Sequence, residues 1–225
     1  MFRWQGVFSS CVLAAAVTVA SAAELPVMKP LLGERGELLF EATFDDSTAE
    51  PLHPIAAAKA EIIDGVLRLS KRTEAKHIGV ASLWKKGVEP IEDFLLEADF
   101  RWRGAYGFNF EFKKPGPVKH GDPPEFFVTF GKPADPKRPM TWAIRDNAPR
   151  NTVGSQTTPV AEGDWLRVLI EVKDGEVSVQ LSDGTLVRGA CNLASSPKGS
   201  PSLSFSGTDE TKAVDVDNLR VWALR

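Results

Sequence analysis

The chain is predicted to fold as an all-β sandwich of two antiparallel sheets. Three observations point there. From Glu37 onward apolar and polar residues alternate with period two, the signature of strands with one buried face. Gly, Pro and Asp interrupt that alternation at short intervals, as strand-ending turns require. No stretch of the mature chain carries a sustained 3.6-residue period, so no helix competes.

Taken in order, the segments that read as strands are 37–44, 59–63, 66–70, 78–84, 94–102, 106–113, 125–131, 140–145, 165–173, 176–182, 185–190, 202–206 and 213–222. That is about thirteen, enough for a large two-sheet sandwich. Opposed residues of a hairpin share a face, which tests each pairing. A two-residue turn at Asp174-Gly175 sets Val172 against Val177, Ile170 against Val179 and Val168 against Leu181, as the Asp-Gly hairpin signal demands. Asp64-Gly65 likewise sets Ile62 against Leu67 and Ala60 against Leu69, with Glu61 beside Arg68. A third hairpin, 94–102 with 106–113, works only with a three-residue loop at Gly104–Tyr106. Trp102, Phe100 and Ala98 then meet Phe108, Phe110 and Phe112, while Arg101 faces Asn109, Asp99 faces Glu111 and Glu97 faces Lys113. In the last strand Val214 and Val216 change parity with Leu219 and Val221, so a β-bulge is expected near Asp217-Asn218. The stretches 113–124, 131–139 and 146–163 read as long loops.

Residues 1–22 have the form of a signal peptide: Arg3, an apolar run to Ala20, and Ala20-Ser21-Ala22 as a cleavage site. Export to the periplasm or medium is expected, with 23–33 as a linker, 34–225 as one domain and no membrane span left after cleavage. Cleavage removes Cys11 and leaves Cys191 alone, so no intramolecular disulfide braces the domain. The 27 Lys and Arg against 30 Asp and Glu form no run longer than Lys85-Lys86 or Lys113-Lys114, which argues against a nucleic-acid partner.

Gly36-Glu-Leu-Leu-Phe-Glu-Ala-Thr-Phe-Asp-Asp46, Ile63-Asp-Gly-Val-Leu67, Phe100-Arg-Trp-Arg-Gly104 and Val216-Asp-Asn-Leu-Arg-Val-Trp222 resemble motifs of the concanavalin A-like jelly-roll superfamily. Within it they look most like bacterial exported proteins of the 3-keto-disaccharide hydrolase domain type, also labelled family 16 glycoside hydrolase-like. The resemblance implies two curved sheets with a carbohydrate lying across the concave one. The Glu-x-Asp-x-x-Glu strand of laminarinase-type family 16 enzymes is absent, because Glu61-Ile-Ile-Asp64 is spent on a turn and Glu97-Ala-Asp99 leads into Phe-Arg-Trp. By the same resemblance Asp217 matches the closing-strand Asp that helps hold a structural calcium. An Asp bonded to backbone N–H groups at a bulge explains it as well.

The polar face of the third hairpin is the expected site. Opposed carboxylates Asp99 and Glu111 lie about 5 Å apart in such a register, close to the spacing of a retaining glycosidase, with Arg101, Asn109 and Lys113 as ligand contacts. The alternative is a solvated charge ladder. His77 and His120 are candidate acid or base groups if their strands border one groove. Among the Trp residues, Trp142 is the candidate sugar-stacking ring, while Trp102, Trp165 and Trp222 read as packing. Three functions follow as expectations: carbohydrate recognition outside the cytoplasm, glycosidic-bond cleavage of a sugar or 3-keto-sugar, or a protein-interaction module.

Overall fold

The structure, a computed structural model, describes residues 25–45, 53–56, 58–71, 79–82, 90–105, 107–116, 123–131, 139–147, 151–199, 201–206 and 211–225. Among the described residues fifteen strands form two antiparallel sheets. The strands are β1 (Arg35–Ala42), β2 (His53–Ala56), β3 (Ala58–Ile63), β4 (Val66–Lys71), β5 (Gly79–Ser82), β6 (Phe94–Arg103), β7 (Gly107–Phe112), β8 (Phe126–Gly131), β9 (Met140–Asp146), β10 (Asn151–Thr158), β11 (Leu166–Lys173), β12 (Glu176–Leu181), β13 (Leu186–Ala190), β14 (Ser202–Ser206) and β15 (Ala213–Leu224). One sheet has eight strands in the order β13-β12-β11-β6-β15-β4-β3, with β1 also paired to β15. The other has seven, β10-β9-β8-β7-β14-β5-β2. The only helical turn among the described residues is the short 3-10 piece Asn192–Ser195, so none is long and apolar enough to cross a membrane.

The two Asp-Gly hairpins form in the expected registers, β11 with β12 and β3 with β4. Both turns place Asp and Gly at positive φ: 54° and 75° at Asp64-Gly65, 50° and 79° at Asp174-Gly175. That is the geometry whose twist matches the strands it joins. The bulge in β15 is present as well, with Asn218 at φ 49° and a register shift between Asp217 and Arg220.

The third hairpin is not formed. β6 pairs with β11 and β15, whereas β7 pairs with β8 and β14 in the other sheet. The chain crosses the sandwich after Gly104, so the aromatic sets of β6 and β7 meet face to face across the core instead of side by side within one sheet. The alternation itself holds: Phe100, Trp102, Phe108, Phe110 and Phe112 are fully buried. Parity could not separate the two arrangements, because an arch between sheets also turns matching residues inward.

Phe112 stacks on Phe126 with ring centroids 4.5 Å apart, and Phe100 meets Phe130 at 4.9 Å. Rings this close add to their area burial. Two further differences lie in the seven-stranded sheet. The segment 151–158 is strand β10, not loop; on the sheet edge it buries little beyond Thr158, so it lacks the apolar face that alternation detects. The short edge strand β2 was likewise not expected.

The segment ahead of β1 is not a free linker. Leu31 and Leu32 both donate backbone N–H groups to one oxygen of buried Glu171, at 2.7 and 2.8 Å. Met28 and Leu32 pack with Leu95, Leu169, Leu224 and Trp222 into a second apolar cluster on the outside of the eight-stranded sheet. The N-terminal segment therefore straps part of that outer face.

Candidate functional site

The two sheets present different outer faces. On the eight-stranded sheet, Asp99 is 5% exposed and accepts both Nε and Nη2 of Arg167, at 2.7 and 2.9 Å, plus Asn218 Nδ2 at 3.0 Å. Arg167 in turn reaches the Leu25 carbonyl of the N-terminal strap. Beside it Glu97 holds Arg35 at 2.7 Å. These carboxylates are bound into ion pairs under the strap. Glu111 lies on the opposite outer face, so the expected Asp99–Glu111 pair does not exist.

Arg101 also belongs to the eight-stranded sheet, where it donates to Asp215 at 2.9 Å and lies 4.5 Å over the Trp165 ring. Trp165 and Trp222 therefore face outward, Trp222 beneath Arg35, and only Trp102 of the three is core. Asp217 accepts the Asn218 backbone N–H at 2.7 Å. Burial, aided by the neighbouring charges of Asp99 and Asp45, pushes its carboxyl up to about 6. Calcium needs six or more oxygens. Among the described residues no group of three or more His, Cys, Asp or Glu side chains is placed to hold a metal ion.

On the seven-stranded sheet the core residues of β7, β8 and β14 point inward and their odd or even partners form an outward polar face. Register builds a row across five strands: Ser202, Glu111, Phe127, Arg145 and Thr152. The next row is Ser204, Asn109, Thr129, Ala143 and Ser155. Within them Asn109 Nδ2 donates to Ser204 Oγ at 2.8 Å, and Ser204 Oγ donates to Glu111 at 2.6 Å. Lys113 Nζ stands 3.5 Å from the other Glu111 oxygen. Asn109, Glu111 and Lys113 are thus one connected network, as expected of ligand contacts, though Arg101 is not part of it. Ser202 Oγ, in the same row as Glu111, is buried with no hydrogen-bond partner. A buried hydroxyl left in that state costs free energy.

Phe127 is the aromatic of this face. It is half-buried between Glu111 and Arg145, while its neighbours Phe126 and Val128 are fully buried. Trp142, the expected stacking ring, instead lies in the core at 1% exposure, against Phe130 and donating to Thr158 Oγ1 at 3.2 Å. Alternation in Phe126-Phe-Val-Thr-Phe-Gly131 held the signal for Phe127, since it falls out of phase with Phe126, Val128 and Phe130. His77 and His120 lie outside the described residues.

Of the strands in this sheet only Glu111 turns a carboxylate outward. Asp146 points inward and accepts the Asn192 backbone N–H at 2.9 Å. Glu125, just ahead of β8, is held at 2.7 Å by Lys198, which is itself fully buried.

The chain matches no protein-family model and no curated protein. Solved structures share its fold. A Bacillus subtilis protein of unknown function with a galectin-like fold aligns at TM-score 0.64 and 11% identity, over 86% of this chain and all of that one. LamA from Z. galactanivorans, in complex with laminaritriose and laminaritetraose, aligns at TM-score 0.61 and 12% identity, over 84% of this chain and 99% of its own. The carbohydrate-binding module CBM66 of B. subtilis aligns at TM-score 0.52 and 11% identity, over 79% and 99%. The fold is therefore a two-sheet antiparallel jelly-roll sandwich, the fold class expected from the sequence.

Proposed function

We propose that this chain is an exported carbohydrate-binding β-sandwich that lays a glycan across the outer face of its seven-stranded sheet. One observation carries the reading: Phe127 stands on that face between Glu111 and Arg145, in a row otherwise made of hydroxyls. A pyranose presents an apolar C–H face and a rim of hydroxyls. The ring of Phe127 suits the first, and Glu111, Asn109 and the exposed Arg145 suit the second. The opposite sheet offers less, since the N-terminal strap occupies part of it. Solved structures of the same fold named as carbohydrate-binding modules or bound to laminari-oligosaccharides support the ligand class.

Binding fits the site better than two-carboxylate hydrolysis. A glycosidase of that kind needs a second carboxyl about 5–10 Å from the first on the same face, and Glu111 has no such companion among the strands of this sheet. A glycan array and a hydrolysis screen on the mature protein test both readings together. Retention of glycans without release of reducing ends, lost in Phe127→Ala, supports the proposal. Turnover that survives Glu111→Gln overturns it. N-terminal sequencing of the exported protein tests cleavage after Ala22.

A structural calcium at Asp217 is a narrower proposal, supported by a carboxylate whose negative charge its surroundings disfavour. It would rest on Asp217 and Asp45, with backbone carbonyls or water as the further oxygens. A rise in Tm with calcium over chelator, abolished in Asp217→Asn, supports it, and identical melts end it.

A further inference from the structure

We infer that the eight-stranded sheet carries a second binding site, for an oxyanion, at the Arg103 end of β6. The fully buried Asp215 lies at the centre of a row with Arg101 on one side and Arg68 on the other. Arg68 Nε donates to its Oδ1 at 2.7 Å and Arg68 Nη2 to its Oδ2 at 3.1 Å, Arg101 Nε donates to Oδ2 at 2.9 Å, and Arg103 Nε donates to the same oxygen. One carboxylate thus faces three guanidiniums. A buried aspartate needs compensation, yet one bidentate arginine already supplies it. Asp215 alone does not neutralise the three arginines; Glu61, the cross-strand partner of Arg68, and Asp64 offset part of the Arg68 charge from the side away from Arg103.

The surplus borders open space. A cleft of about 510 Å³ is lined by Arg68, Arg103, Lys212, Glu162, Gly104 and Gly163. Arg103 is the most exposed of the three arginines, its side chain 42% accessible. Its bond to Asp215 uses Nε and leaves the Nη groups for a ligand. Lys212 lies along the cleft floor because Gly104, at φ 75°, has no side chain; a Cβ there would stand 2.7 Å from Lys212 Cδ. Its lining side chains carry three positive charges, Arg68, Arg103 and Lys212, against one negative, Glu162. Guanidinium forks match the paired oxygens of sulfate, phosphate or carboxylate. Asp209 and Glu210, next in sequence to Thr211, lie outside the described residues. A cleft that they neutralised would give no anion response.

The test is a ¹H–¹⁵N NMR titration of the mature protein with sodium sulfate and with sodium glucuronate, against glucose and against sodium chloride at matched ionic strength. Saturable shifts at Gly104, Lys212 and Ala213 with a Kd in the millimolar range are expected for the oxyanions alone. A response to sulfate only identifies an inorganic-type anion site, and a response to glucuronate as well identifies an acidic sugar. Arg103→Gln, at an exposed position, should keep the spectrum of a folded protein and weaken binding about tenfold or more, with Lys212→Ala as the second variant. Absence of saturable shifts at the cleft, or unchanged binding in both variants, overturns the inference. Phe127→Ala should leave this response intact, so failure here is separate from failure of the glycan site.

Discussion

Phe100 and Phe108 face each other across the sandwich with ring centroids 5.5 Å apart, one in each sheet. That contact explains why two carboxylates nearby in sequence parity end up on opposite surfaces. β6 turns Asp99 out on one side and β7 turns Glu111 out on the other, with the aromatic core between them. It also separates the molecule into a strapped, ion-paired surface and a hydroxyl-rich one.

Asp217 makes stability depend on pH in a direction opposite to most carboxylates. Its folded-state value of about 6 is above the ordinary 3.8, so the folded state prefers the protonated group. The contribution is full below pH 4 and is lost as pH rises through 6. Such a shift corresponds to at most about 3 kcal/mol, discounted to about 1–2 kcal/mol for the solvent access of the group. Urea unfolding of Asp217→Asn should therefore show greater stability than wild type above pH 7 and no difference at pH 4.

Glu171 is the anchor of the N-terminal strap. Replacing it with Ala removes the acceptor of two backbone N–H groups and should cost about 2–4 kcal/mol. Limited proteolysis should then cut within residues 25–34 at rates well above wild type, while Glu171→Gln, which keeps one acceptor oxygen, should lie between. Equal cleavage of all three proteins would show that the strap is held by other contacts.

Cys191 should be chemically silent. It is 1% exposed, and burial together with the nearby Asp146 charge pushes its thiol up to about 12, so almost no thiolate exists at pH 8. In the protein lacking residues 1–22, and with them Cys11, a thiol reagent should label it only after denaturant unfolds the domain, one equivalent per chain.

Trp142 and Phe127 should separate stability from binding. Trp142→Phe leaves the Thr158 hydroxyl without its indole donor and opens space beside Phe130. It should cost about 1–3 kcal/mol while leaving glycan affinity unchanged. Phe127→Ala removes a half-buried ring and should cost little stability but most of the affinity.

Much of this architecture was legible from residue pattern because its determinants are local. Asp64-Gly65 and Asp174-Gly175 dictate turn type, and turn type with alternation dictates register. The parity break at Asp217-Asn218 marked a bulge. Sheet assignment was not legible for β6 and β7, since Gly104 permits a crossing as readily as a hairpin and both bury the same phenylalanines. The candidate site was legible in part: Asn109, Glu111 and Lys113 share one surface because they share one strand's parity. Arg101 and Asp99 share that parity but sit in the other sheet, a difference that parity alone does not encode. Phe127 hides in plain alternation beside buried aromatics, and the Pro-rich sequence ahead of Trp142 suggests an exposure that its place in β9 denies.

The most direct measurement is the affinity of the mature protein for the glycan selected on an array, compared with Phe127→Ala and Glu111→Gln by titration calorimetry. Loss of one stacking ring should weaken binding roughly tenfold or more, and loss of the Glu111 charge about as much, with folding intact in both. Undiminished affinity in both variants would place the sugar elsewhere on the molecule and contradict the proposed face.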